Sequence, residues 1–213
     1  MQSVVYTNKN DCQDCYKCVR NCPVDSISMI DNSASIDEER CIMCGTCIEV
    51  CPTGAQHYRN DEDRVKELLL SGKKVILSLA PSFPGEFSQT PETLIKHLKG
   101  AGFFGVSETA LGAQIVTWFQ RNLLSHQNGA IFSTACPTFV HLVMKYYPNL
   151  SKNLSPLLSP LLSHCVMLRK IYGENISIVF AGPCIAKKSE SDNHPELLDA
   201  AITGSSHKFE IKK

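Results

Sequence analysis

The 213-residue sequence lacks net charge: 21 Lys and Arg are matched by 21 Asp and Glu. A chain with no surplus of either sign has no electrostatic reason to seek nucleic acid or an anionic lipid surface, so neither is expected as a partner. It also lacks any apolar run near the ~20 residues that cross a bilayer. Residues 1–12 hold neither a basic n-region nor an apolar h-region, so no secretory leader is read and the expected location is the cytoplasm. The seven histidines, at 57, 97, 126, 141, 164, 194 and 207, show no metal-ligand spacing with one another. His141 and His164 therefore read as packing or surface residues. What remains is an ordinary globular composition, 43% hydrophobic and 20% charged, long enough for a small module and a larger domain.

Cysteine is the exception. There are 11, and eight fall within residues 12–51. A secreted disulfide scaffold is one source of such density. Without a leader, and in a reducing compartment, clustered cysteines point instead to metal.

The first run is Cys12-x2-Cys15-x2-Cys18-x3-Cys22-Pro23 and the second is Cys41-x2-Cys44-x2-Cys47-x3-Cys51-Pro52. Zinc sites pair C-x2-C units across a longer gap, so three successive cysteines at this spacing are unusual for zinc. The spacing resembles bacterial two-cluster ferredoxins, in which three cysteines of a run grip one [4Fe–4S] cubane and the fourth ligates the other. That pattern implies two [4Fe–4S] clusters. Cluster 1 would take Cys12, Cys15, Cys18 and Cys51, and cluster 2 would take Cys41, Cys44, Cys47 and Cys22. Pro23 and Pro52 turn the chain away after the exchanged ligand, and Gly45 allows close backbone approach. Lys17, Arg20, Arg40 and Glu49 lie among the cysteines and read mainly as a solvated face.

Residues 1–30 and 31–60 repeat each other, each a cysteine run followed by a short strand at 26–30 or 56–59, with a hairpin turning at Asp31-Asn32. A helix over 61–71, stopped by Gly72, links this module to the remainder of the chain. From Lys73 the pattern alternates. Strands are read at 75–79, 103–106, 130–133 and 176–180. Helices are read from Thr90-Pro91 to Gly100, after a Ser107 cap, and over 138–147 and 159–172, with a Ser/Pro/Leu-rich loop at 148–160. Alternation implies a largely parallel sheet. The expected architecture is an α+β ferredoxin-like dicluster module (1–60), a linking helix (61–72) and an incomplete α/β domain with a largely parallel sheet (73–213).

Cys136 and Cys184 follow strand ends, where ligands bind in parallel α/β sheets. Cys165 sits in a helix and reads as core. The segments around the first two, Ser133-Thr134-Ala135-Cys136-Pro137 and Gly182-Pro183-Cys184-Ile185-Ala186-Lys187-Lys188-Ser189-Glu190, resemble two signature loops of the [FeFe]-hydrogenase large-subunit family. Leu79-Ala80-Pro81-Ser82-Phe83-Pro84-Gly85-Glu86 and Phe104-Gly105-Val106-Ser107-Glu108-Thr109-Ala110 support the match. The resemblance implies a cubane bridged to a diiron centre, with Cys136 and Cys184 as two of its ligands. It also implies Lys187 as a donor to a cyanide of that centre and Glu190 as a proton-relay carboxylate. Lys188 reads as a plain surface lysine.

Two departures qualify the resemblance. Catalytic members carry a proton-transferring cysteine just before the first-loop ligand, and here that position is Ala135, as in the sensory branch. The third signature loop, source of the other two cubane ligands, is not in the sequence. Two functions are expected from this. One is a hydrogenase-like electron-transfer protein, sensory or truncated. The other is a dicluster electron carrier whose second domain binds no metal and docks partners. A redox partner protein is expected in either case. A separate chain completing the α/β domain is a further expected partner, since a sheet ending at 176–180 would expose an apolar edge.

Overall fold

The structure is a computed structural model that describes residues 3–86, 89–126 and 129–203. The stretch from Gly204 onward, including His207, lies outside the described residues. The chain divides into two compact units, Met1–Arg59 with Thr138–Ser151, and Asn60–Pro137 with Lys152–Lys213. The stretch 138–151, inside the 73–213 domain by sequence, thus belongs with the cysteine-rich module.

In the first unit, β1 (Val5–Thr7) comes before α1 (Lys17–Asn21), the hairpin β2 (Ile27–Ile30) and β3 (Ser33–Ile36), then α2 (Thr46–Val50) and β4 (Gln56–Tyr58). The hairpin turns at Asp31 and Asn32, both left-handed with φ of 49° and 56°, as a two-residue turn between right-twisted strands requires. β1 and β4 pair antiparallel, Val5 against Tyr58, and so tie the two ends of the unit together. Sequence reading missed β1, because three residues are too few to show a period.

The duplication is visible in the backbone at the 29-residue offset that relates Cys12 to Cys41. Left-handed residues recur in register: Asp14 (φ 51°) with Met43 (58°), Tyr16 (59°) with Gly45 (86°), and Asp25 (49°) with Gly54 (68°). Tyr16 and Gly45 are the N-caps of α1 and α2, each five residues long. Most of these residues carry a Cβ that disfavours such φ values by about 1–2 kcal/mol each. The loops are therefore held in a shape that local preference does not supply.

The second unit begins with α3 (Glu62–Leu70) and β5 (Lys74–Leu79). There follow α4 (Phe83–Glu86), α5 (Pro91–Gly100), β6 (Gly105–Glu108) and α6 (Ala110–His126). The chain then enters α7 (Pro137–Tyr146) and a 3-10 turn (Pro148–Asn153), which carry it through the first unit. It finishes with α8 (Pro160–Tyr172), β7 (Ile176–Ala181), α9 (Lys187–Asn193) and β8 (Ala200–Ile202). The sheet order is β6-β5-β7-β8 and every pair is parallel. α5 and α8 start by the same device. Thr90 and Ser159 cap them, accepting from the amides of Thr93 and Leu162, with proline at the first helical position.

Alternation along the strands builds a core on each face of the sheet. Leu77, Leu79 and Val179 pack with Val65, Leu94, Leu98 and Phe103 on one side. Ile76, Ile178 and Phe180 pack with Leu161, Cys165, Leu168 and Leu198 on the other. Cys165 is fully buried, as its helical context implied, and burial pushes its thiol up to about 12. Where α6 crosses α8, a Cβ on Gly112 would collide with the carbonyl oxygen of Pro160 and come within 2.8 Å of the His164 Cβ, so the crossing needs glycine.

Several expectations are corrected. Residues 130–133 form no strand; Phe132 makes a single parallel bridge to Leu154. Ser107 lies inside β6 and the helix starts at Ala110. β8, too short to read from sequence, pairs with β7, so β7 is not a sheet edge. Lys188 is not a surface lysine. It is 1% exposed, with its ammonium 2.8 Å from Asp61 Oδ2 and donating to the Ala201 carbonyl at 2.7 Å.

Candidate functional site

None of the 11 cysteines is in a disulfide. Their exposure repeats with the duplication. Cys15 and Cys44 are exposed, Cys18 and Cys47 buried, and Cys12, Cys41, Cys22 and Cys51 intermediate. Each run therefore presents its cysteines at graded depth, as a loop wrapped around a compact object would. Among the described residues, no three His, Cys, Asp or Glu side chains converge closely enough to hold a single ion.

Cys41, Cys44 and Cys47 line a concavity, and Cys22 from the other run lines it with them. The remaining walls are largely apolar, including Val5, Val24, Ile27, Ile36 and Ile42. Backbone amides aim at the sulfurs in matching positions. Ser26 N lies 3.3 Å from Cys22 Sγ, and Ala55 N, its repeat equivalent, 3.2 Å from Cys51 Sγ. Met43 N donates to Cys41 Sγ at 3.4 Å. Thr46 and Thr53 place hydroxyls 3.3 and 3.6 Å from Cys44 and Cys51 Sγ, and Gln56 Nε2 donates to Cys18 Sγ at 3.7 Å. Such donors favour thiolate over thiol. At Cys51 burial pushes the thiol up, but the Thr53 hydroxyl and the amides of Gln56, Thr53 and Ala55 outweigh it and leave the thiol below its usual value.

Cys18, Cys41 and Cys47 behave oppositely. Burial raises Cys18 and Cys41, and pushes Cys47 up to about 12, with Cys41, Cys44, Cys18 and Cys22 adding repulsion. Only a bound cation would make several thiolates stable at such close quarters, so metal loading must release protons. The donor set therefore fits a polynuclear iron–sulfur group: four sulfurs around one concavity, amides directed at sulfur, and largely apolar walls.

In the second unit the 130–137 loop is pinned from 153–157. Phe132 N donates to Asn153 O at 2.7 Å, Ser155 N to Phe132 O at 2.8 Å, and Thr134 Oγ1 to Leu157 O at 2.8 Å. These bonds leave Cys136 exposed at the end of the loop. Cys184 is half-buried in the turn between β7 and α9. Lys187, three residues on, donates to the carbonyl of Ala135, so the two signature loops meet in one place. Lys187 also pairs with Glu190 at 2.6 Å, and both are about nine-tenths buried. The pair was not evident from sequence, although its i,i+3 spacing on a helix permits it.

Sequence reasoning also missed two polar clusters. His164, fully buried, sits between Ser78 Oγ at its Nδ1 and Ser107 Oγ at its Nε2, each at 2.8 Å, and Ser78 bonds on to Thr109 at 2.8 Å. Burial lowers its pKa to about 4, so the ring is neutral. On α7, Thr138, Lys145 and Tyr146 all bond backbone carbonyls of the 24–43 region of the first unit. Their spacing of seven and eight residues marks one helical face, which could have been read as such.

Comparison with known proteins agrees with this arrangement. Residues 34–57 match the 4Fe-4S binding domain. A segment of 48 residues is 40% identical to a subunit of the ion-translocating oxidoreductase complex of Methanosarcina acetivorans, covering 22% of this chain and 18% of that one. A 51-residue segment is 43% identical to an uncharacterized ferredoxin of Methanocaldococcus jannaschii, covering 23% and 34%. Another of 50 residues is 44% identical to a 7Fe ferredoxin of Hydrogenibacillus schlegelii, covering 24% and 60%. The chain spans less than two thirds of the length of these relatives. The cysteine-rich unit is a 4Fe–4S electron-transfer module. Residues 73–206, more than half of the sequence, match the iron-only hydrogenase large subunit, C-terminal domain, and the chain belongs to that family.

Proposed function

We propose that the chain carries two [4Fe–4S] clusters with exchanged ligands, Cys12, Cys15, Cys18 and Cys51 on one and Cys41, Cys44, Cys47 and Cys22 on the other. They would pass single electrons between a redox partner protein and the second unit. The observation that carries this reading is the presence of Cys22, from the first run, in the concavity lined by Cys41, Cys44 and Cys47. An exchanged ligand must cross between the runs in this way. Cys22→Ala tests it: with two cubanes per wild-type chain, the variant loses the second and keeps the first. Loss of the first cubane instead would refute the exchange.

At the second unit we propose a hydrogenase-like site of the sensory kind, with Cys136 and Cys184 as cluster ligands and Lys187 and Glu190 beside them. The bond from Lys187 to the Ala135 carbonyl, which draws the two loops together, supports it. Ala135 has no titratable group, so proton delivery would lack the ~10²–10⁴-fold gain of a positioned acid–base residue and turnover would be slow. A [4Fe–4S]-diiron centre there needs two thiolates beyond Cys136 and Cys184. The second reading is an electron carrier whose second unit binds no metal and docks the partner. The pairing of Lys187 with Glu190 favours it, since both groups already have a partner. Reconstitution with a synthetic diiron precursor separates the two readings. Infrared bands from cyanide and carbon monoxide ligands that vanish in Cys184→Ala would support the first, and their absence from the wild type even with small-molecule thiol supplied for the two further ligands would leave the carrier.

A further inference from the structure

Lys145 stands on α7, in the first unit, with its ammonium 2.7 Å from the carbonyl oxygen of Cys41 and 3.0 Å from that of Glu38. Tyr146, beside it, donates to the carbonyls of Arg40 at 2.8 Å and Val24 at 3.1 Å, and Thr138 to that of Met43. One helical face thus grips the loop that carries Cys41 and Cys44, and its cation is half-buried against that loop. In the other run, Arg20 donates to the carbonyl of Cys15 at 3.3 Å from its own five-residue helix and is exposed. Asp14 occupies the position equivalent to Met43, so a negative charge stands there instead.

Reducing a four-thiolate cubane adds one electron and breaks no bond, taking the group from a net charge of −2 to −3. A cation held in a half-buried site stabilises the more negative state, and solvent weakens the effect of an exposed one. We propose that Lys145 sets the reduction potential of the second cubane alone, raising it by its charge, so that the two halves of a duplicated module differ in potential. The proposal rests on the two-cubane reading above.

The test is a redox titration of the anaerobically reconstituted full chain with dithionite and mediators, followed by electron paramagnetic resonance. Iron content is measured first, and fewer than about eight irons per chain overturns the two-cubane reading and this proposal with it. With both cubanes present, Lys145→Gln, which keeps donors for the carbonyls and removes the charge, lowers one midpoint. The expected size is a tenfold fall in the ratio of reduced to oxidised cubane at fixed potential, about 59 mV for one electron. Lys145→Arg keeps the midpoint. Thr46→Val, which removes the hydroxyl beside Cys44, identifies the wave of the second cubane, and Thr53→Val that of the first. Movement of the first wave, of both waves equally, or of neither overturns the proposal. Tyr146→Phe removes a bond to the Arg40 carbonyl of the same loop and one to that of Val24 without touching charge, and leaves both midpoints in place. A fall in the second midpoint there would assign the effect to the grip of the helix and overturn the proposal even if the glutamine variant failed to fold.

Discussion

Lys187 and Lys188 are neighbours in sequence with different roles in the fold. Lys187 faces the two signature loops, while Lys188 points into the core toward Asp61. A buried pair gives little net stability, but removing one member leaves the other charge without its counter-ion. Lys188→Met is therefore expected to destabilise the fold by about 3–5 kcal/mol in denaturant titration, and adding Asp61→Leu to recover much of that. An unchanged midpoint in the single variant would show that the pair is not buried as described. His164 makes a second prediction at this scale. Its pKa in the fold, about 4, lies below the usual 6.5. Its contribution is therefore complete above pH 6.5 and is lost as pH falls from 6.5 toward 4, where the unfolded chain takes a proton that the fold refuses. His164→Gln should flatten the dependence of the unfolding midpoint over that window, and a slope equal to that of the wild type would contradict it.

At the scale of elements, close approach decides more than propensity does. α6 meets α8 at Gly112, where a methyl group would strike the backbone of Pro160. Gly112→Ala is expected to cost at least ~2 kcal/mol although alanine is the better helix former, because the obstacle is backbone and cannot rotate away. A more stable variant would mean that the helices can shift apart. Helices with a proline at the first turn and strands with β-branched runs were legible in the sequence for the same local reason: Pro91, Pro160, and Val75 to Leu79 announce their own elements. β1, β8 and α9 were not. β1 and β8 are three residues long and exist through partners, Val5 on Tyr58 and Ala200 on Val179, that no local pattern names. Residues 130–133 carried a strand pattern and, among the described residues, make only the bridge from Phe132 to Leu154.

For the whole molecule, the spacing of the cysteine runs stands in the sequence itself, and the match of residues 34–57 to the 4Fe-4S binding domain agrees with the iron–sulfur reading of that spacing. The loop cysteines were legible only through resemblance, and the grip of α7 on the 37–44 loop was not anticipated, since it joins residues about 100 positions apart. Burial raises the thiols of Cys18, Cys41 and Cys47, the last to about 12, so the metal-free module holds them protonated. Iron must displace those protons, and cluster reconstitution is expected to be more complete at pH 8.5 than at pH 6.5, read by absorbance near 400 nm, with pH-independent yields counting against buried ligands.

The central proposal is that electron transfer by this chain runs through two cubanes in the first unit, and iron with acid-labile sulfide per chain, on anaerobically reconstituted protein, tests it most directly. About eight of each is the predicted result, and about four, or iron without sulfide, would contradict it.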